Sequence, residues 1–166
     1  ENINSKYSEF FPTPVTSKFH INNEKKNITL ISKLKIIKNG FYNVEAYKHL
    51  KALILATKPD VAYVLQYGTK LSTSIFDILS IQKVPIVLRI SDFNLICAKN
   101  TFYRKGSTCT KCINNKRYSV YYKCVHGSLI QSILYFIIQK FNDYRKFENK
   151  ISAIVSPSNF SLNLIG

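Results

Sequence analysis

The chain has 166 residues, 46% of them hydrophobic and 13% aromatic. That is one domain's worth of sequence, apolar enough to bury a core and too apolar for a disordered chain. The net charge is +15, from 24 Lys+Arg against 9 Asp+Glu, which suggests nucleic acid or an anionic membrane surface as a partner. Arginine is scarce, however (Arg89, Arg104, Arg117 and Arg145), and Ile, Asn, Tyr and Phe crowd the chain. An AT-rich genome encodes that mix, so charge alone points only weakly to a partner. No apolar run is long enough to span a bilayer, and no secretory signal opens the sequence. With no Met anywhere, the chain reads as an internal or trimmed piece of a longer gene product.

Residues 1–27 are polar and irregular, and Pro12 and Pro14 exclude a helix there. Lys18–Ile21 and Ile28–Ser32 are expected as short strands, joined by a turn through Asn22, Asn23, Lys25 and Lys26. After Gly40 the apolar residues Phe41, Val44, Tyr47, Leu50, Leu53 and Ile54 recur at helical spacing. The spacing predicts a helix from about Asn43 to Thr57, ended by Pro59. Val61–Leu65 is a short apolar run and is expected as a buried strand. Ser72 or Ser74 can cap a helix carrying Ile75, Ile78 and Leu79, and Ile86–Ile90 is a second expected buried strand. Alternation of helix and strand with short connections argues for βαβ units and a parallel sheet.

Residues 91–127 break the rhythm as a long insertion without a period, of the kind that is functional or locally stapled. Helix resumes at Ser128, and Leu129–Ile138 is apolar nearly all round, followed by Lys140, Arg145 and Lys146. Burial inside the domain is the expected fate of that helix. The alternative is a membrane interface, with the flanking basic residues on anionic lipid. Ile151–Val155 is a third expected buried strand, and Ser156 is the expected cap of a last helix with Pro157 at its first position.

Open parallel sheets bind ligands beyond the carboxyl ends of their strands. The strand-end residues Gln66, Tyr67, Gly68, Ser91, Asp92 and Ser158 are therefore the candidate substrate-binding set. Each also fits an ordinary βα turn or cap. Asp92 is the strongest of them, because it follows its strand directly and can accept hydrogen bonds from a ligand hydroxyl or from nearby backbone. His20, His49 and His126 are scattered, and neither a dinucleotide fingerprint nor a phosphate loop is present, so no self-sufficient catalytic set can be named. Cys97, Cys109, Cys112 and Cys124 follow the spacing C-x11-C-x2-C-x11-C. They can close a tetrahedral thiolate site for structural zinc, or stay reduced thiols whose pKa values Lys105, Lys111, Lys116, Arg117 and Lys123 would lower.

Several runs resemble the N-terminal half of bacterial glycosyltransferase family 4 enzymes of the GT-B fold. They are FYNVEAYKHLKALI (41–54), KPDVAYVLQ (58–66), VPIVLRISDFNLIC (84–97), the Tyr103-Arg104-Lys105-Gly106 turn, the Cys109/Cys112 pair, CVHGSLIQS (124–132) and SAIVSPSNF (152–160). The stretch that carries the resemblance, from Phe41 to Gly166, spans about three quarters of the chain. The resemblance is to a subgroup with a cysteine-rich insertion. It implies an α/β fold with a Rossmann-like parallel sheet, residues 1–166 being an incomplete N-terminal, acceptor-side domain with the insertion at 91–127.

The implied activity is retaining sugar transfer from a nucleotide-sugar donor, held by a C-terminal domain outside this chain, to a glycan or lipid-linked acceptor in surface polysaccharide or lipopolysaccharide synthesis. No metal is implied for catalysis, and the implied location is cytoplasmic, peripheral on the inner face of the membrane. Ser91 stands where the family carries a His that approaches the donor, while Asp92 is kept; Ala98 stands where the family carries a Pro. The family's Gly-rich first strand is also missing, so this piece alone is expected to be inactive and marginally stable. The alternative is a zinc-stabilised basic module that binds nucleic acid or a membrane surface without catalysis. Scarce Arg and the lack of a recognisable aromatic RNA-reading motif count against nucleic acid.

Overall fold

The computed structural model describes residues 6–11 and 30–165. The chain divides into two compact units, Glu1–Ala62 with Tyr67–Ile86, and Tyr63–Gln66 with Val87–Gly166. The expected Lys18–Ile21 strand and the turn after it lie outside the described residues.

The first unit is helical. After a 3-10 turn at Ser8–Phe10 come α1 (Leu30–Phe41), α2 (Val44–Thr57), the single turn α3 (Gly68–Leu71) and α4 (Ser74–Ile81). Helix α1 replaces the end of the strand expected over Ile28–Ser32. Leu30, Leu34, Ile37 and Phe41 stand at helical spacing along it, a pattern longer than the short strand expected there. Helix α2 falls where its apolar spacing places it. Asn43 caps it by accepting from the Ala46 N–H at 3.0 Å, and Lys58 ends it in the left-handed region, donating its N–H to the Ile54 carbonyl.

Helices α2 and α4 pack together through a core that includes Ala46, Ile54, Ile75, Phe76, Ile78 and Leu79. Beside that core lies a buried polar knot. The Asn43 N–H donates to Ser72 Oγ at 2.9 Å, Ser74 Oγ donates to the Asn43 carbonyl at 2.9 Å, and the Ser74 N–H donates to Ser72 Oγ at 3.2 Å. Thr73, between the two serines, occupies the N-cap position of α4 without a side-chain cap bond. The serines therefore serve the α2 start as much as the α4 start.

The second unit holds most of a small parallel sheet in the order β1-β2-β5, where β1 is Ala62–Val64, β2 is Ile86–Arg89 and β5 is Ala153–Val155. Strand β2 pairs with β5 in parallel, Leu88 opposite Ile154. An α/β fold with a parallel sheet is thus present, and Val64, Leu88 and Ile90 are buried.

The expectation of strands buried on both faces fails for β1 and β5. Val61, Tyr63 and Leu65 are exposed along β1, as are Ile154 and Val155 in β5. Three strands of three or four residues offer too little area for helices to cover both faces. The remaining elements are the hairpin β3 (Tyr103–Arg104) and β4 (Ser107–Thr108), the short helices α5 (Lys111–Asn114) and α6 (Tyr118–Tyr121), the long helix α7 (Leu129–Arg145), a 3-10 turn at Phe147–Lys150, and α8 (Asn159–Ile165). Among the described residues no helix is long and apolar enough to cross a membrane.

Asn43 is 1% exposed and joins the cap to the knot through side chain and backbone. Asn43→Ala is expected to lower unfolding stability by about 1–2 kcal/mol, read as a reduced urea midpoint at unchanged slope.

Candidate functional site

Strand pairing brings two of the expected ligand-facing ends together. The Ile90 N–H donates to the Val155 carbonyl at 2.8 Å, so the chain leaves β2 and β5 side by side. Ser91 follows β2, and its hydroxyl donates to the Leu65 carbonyl at 3.1 Å, which ties it to the end of β1 next to Gln66. Asp92 Oδ1 accepts from the Asn94 N–H at 2.9 Å, an Asx turn that leaves Oδ2 without a bond among the described residues. Phe93 meets Phe160 of α8 edge-on, with ring centroids 6.2 Å apart.

Ser158, rather than the expected Ser156, caps α8. Its Oγ accepts from the Ser161 N–H, and Pro157 lies before the helix. Gln66, Ser91, Asp92 and Ser158 thus share the second unit. Tyr67 and Gly68 belong to the first, where Tyr67 packs edge-on against Phe76 and Gly68 opens α3 with a positive φ.

The turns after β2 are held by one side of α7. Tyr135 Oη donates to the Asn94 carbonyl at 3.0 Å. Ser132, fully buried, accepts the Val125 N–H at 3.1 Å and donates to the Ser128 carbonyl. Lys116 reaches Asp143 at 2.6 Å, with both side chains half-buried. Ser128 caps α7 as expected, accepting from the Gln131 N–H. The two serines of the CVHGSLIQS run therefore have structural work: one starts the helix and the other satisfies a turn.

All four cysteines are free thiols. Cys97 and Cys112 are buried, and the two sit close: the N–H of Ala98, the residue after Cys97, donates to the Cys112 sulfur. Burial, followed by the neighbouring thiols of Cys97, Cys124 and Cys109, pushes Cys112 up to about 11. Cys124 is raised too, by burial and then by Cys97 and Cys109, against a smaller opposing pull from Lys99 and Arg104. The expected lowering by the insertion's lysines is thus overturned at these two thiols, because desolvation outweighs exposed cations that water screens. These four are the residues that could hold a metal. Among the described residues, however, no three His, Cys, Asp or Glu side chains are grouped so as to bind one.

Beside Cys124 opens a cleft of about 720 Å³, and with it come residues the sequence did not single out. Lys99, Asn100, Thr101, His126 and Tyr135 line it, and no carboxylate does. His126 stands in the left-handed region with φ near 50°, and its Nδ1 shares a 2.7 Å hydrogen bond with Gln131 Oε1. Arg104 stacks on Tyr122 at 3.8 Å to the ring centroid. His126 was named in the sequence only as one of three scattered histidines. Tyr135 lay inside an apolar stretch, where spacing alone gave it no task.

The thiol shifts fix a pH response. A thiol that ionises later in the folded state than in the unfolded one costs stability between the two pKa values. Stability is thus expected to be level through neutral pH and to fall between about pH 9 and 11. Cys112→Ser is expected to flatten that fall in denaturation curves taken across the range, and iodoacetamide is expected to reach Cys112 last of the four. Compared with family models, curated proteins and solved structures, the chain matches none.

Proposed function

We propose that this chain is the acceptor-side, Rossmann-like part of a retaining glycosyltransferase. In this reading it works at the cytoplasmic face of a membrane and receives the sugar of a nucleotide-sugar onto a glycan or lipid-linked acceptor. One observation carries the reading: parallel β2 and β5 end side by side and deliver Ser91-Asp92 and Ser158 to the end of the sheet where open α/β folds bind ligands. The motif runs quoted above from 41 to 160 fall on α2, β1, β2, the hairpin, α7 and β5 in the order that the family resemblance implies.

Within this reading the residues divide by what their atoms have left to give. Ser91 spends its hydrogen on Leu65 and positions the turn. Asp92 is half-buried, held by Asn94 through one oxygen, and offers the other to an acceptor hydroxyl. A carboxylate held in this way orients that hydroxyl for attack without entropy lost at the moment of transfer. The cleft lined by Asn94, whose N–H Asp92 holds, adds Lys99, Asn100, Thr101 and His126 as hydrogen-bonding groups for the rest of a glycan. The donor belongs to a second domain, which this reading requires.

Two measurements test it. The gene on either side of this segment is expected to encode a Gly-rich strand upstream and a second Rossmann-like domain with a two-glutamate motif downstream. In that full product, Asp92→Asn is expected to cut kcat/KM for the acceptor roughly ten- to hundredfold, the range for one hydrogen bond to a charged group, with the donor KM unchanged. Transfer of labelled sugar at equal rates by both proteins would overturn the role of Asp92. A gene with no second domain would overturn the whole reading.

A further inference from the structure

Helix α7 is amphipathic the wrong way round. At about 3.6 residues per turn, Ser132, Tyr135, Asn142 and Asp143 share one side, and that polar side is the one packed on the protein. The opposite side carries Ile130, Ile133, Ile137, Phe141 and Tyr144, all exposed, Ile130 at 78% and Tyr144 at 84%. The stripe runs for about 21 Å along the helix. Lys140 borders it on one flank; Arg145 borders it on the other, with its guanidinium over the Phe141 ring. Of the acids nearby, Asp143 holds Lys116 through Oδ1 at 2.6 Å and lies 4.0 Å from Lys140 Nζ through Oδ2, and Glu148 lies past the helix end.

We propose that this face of α7 docks on an anionic membrane surface, lying in the plane of the interface. The chemistry fits on three counts. Apolar side chains in one row can enter the acyl boundary while the helix stays parallel to it. Tyr144 at the end of the row suits the headgroup level. Lys140 and Arg145 can snorkel from the flanks to lipid phosphates, with the rest of a chain of net charge +15 behind them. The exposure of Ile130, Ile133, Ile137 and Tyr144 overturns the expectation that this helix is buried. Docking does not depend on sugar transfer and is tested apart from it.

The test is flotation of the chain with phosphatidylcholine vesicles and with vesicles containing phosphatidylglycerol. Binding is expected only to the second. Ile133→Ser/Ile137→Ser/Tyr144→Ser is expected to abolish it, while the far-ultraviolet circular dichroism of these exposed-site variants stays that of the parent. Lys140→Gln/Arg145→Gln is expected to weaken it roughly 30-fold, two cations' worth. Three outcomes overturn the proposal: no binding to either vesicle; binding that the stripe variant retains, which marks mere polycation attraction; or a concentration-dependent dimer that the stripe variant dissolves.

Discussion

Residues 91–127 carry little regular structure of their own. They contain two two-residue strands and two single-turn helices, and their buried apolar side chains are few, chiefly Phe102 with the Cys97 and Cys112 thiols. What gives them a shape is the polar side of α7. Ser132 takes a backbone N–H from Val125, Tyr135 gives a hydrogen to Asn94, and Asp143 holds Lys116. Each of these bonds is part-buried and modest by net free energy, and together they tie three separate points of the segment to one helix face. The turn carrying Asp92 and the cleft lined by Lys99 and His126 depend on the same helix face.

The cysteines belong to this arrangement in a particular way. Desolvation keeps Cys112 neutral far above neutral pH, so inside the segment it behaves as a small apolar group that also accepts a weak bond from Ala98. Cys97 and Cys112 are buried with Phe102 in this segment.

What could be read from sequence follows the range of the interaction involved. Helix α2, the Ser128 cap and the positions of the three sheet strands were legible, since each rests on a local pattern: apolar period, capping oxygen, short β-rich run. Helix α1 carries such a period too, in Leu30, Leu34, Ile37 and Phe41, but its β-branched start at Ile28–Ser32 read as a strand, and the cap of α8 was misplaced by two residues because three serines compete there. Exposure of β1 and β5 was illegible for a different reason. Apolar runs report what a strand can bury, and the covering layer comes from elsewhere in the fold. At the site, Asp92 and Ser158 were visible as strand-end residues, while Lys99, His126 and Tyr135 became site residues only through the turn at 124–127 and the packing of α7.

The same logic explains why α7 misleads. LIQSILYFII reads as a core helix because apolar residues dominate it, and periodicity assigns its minority polar positions to solvent. In the fold those minority positions are the ones with long-range partners. A stretch of chain rich in turns presents unpaired N–H and carbonyl groups, and a helix that packs on it must answer with hydroxyls and a carboxylate rather than with methyl groups. Once Ser132, Tyr135 and Asp143 are committed inward, helical geometry leaves Ile130, Ile133 and Ile137 no direction but outward. The exposed stripe is thus the consequence of how the neighbouring segment is held, and any partner of this protein that prefers apolar contact meets it there first.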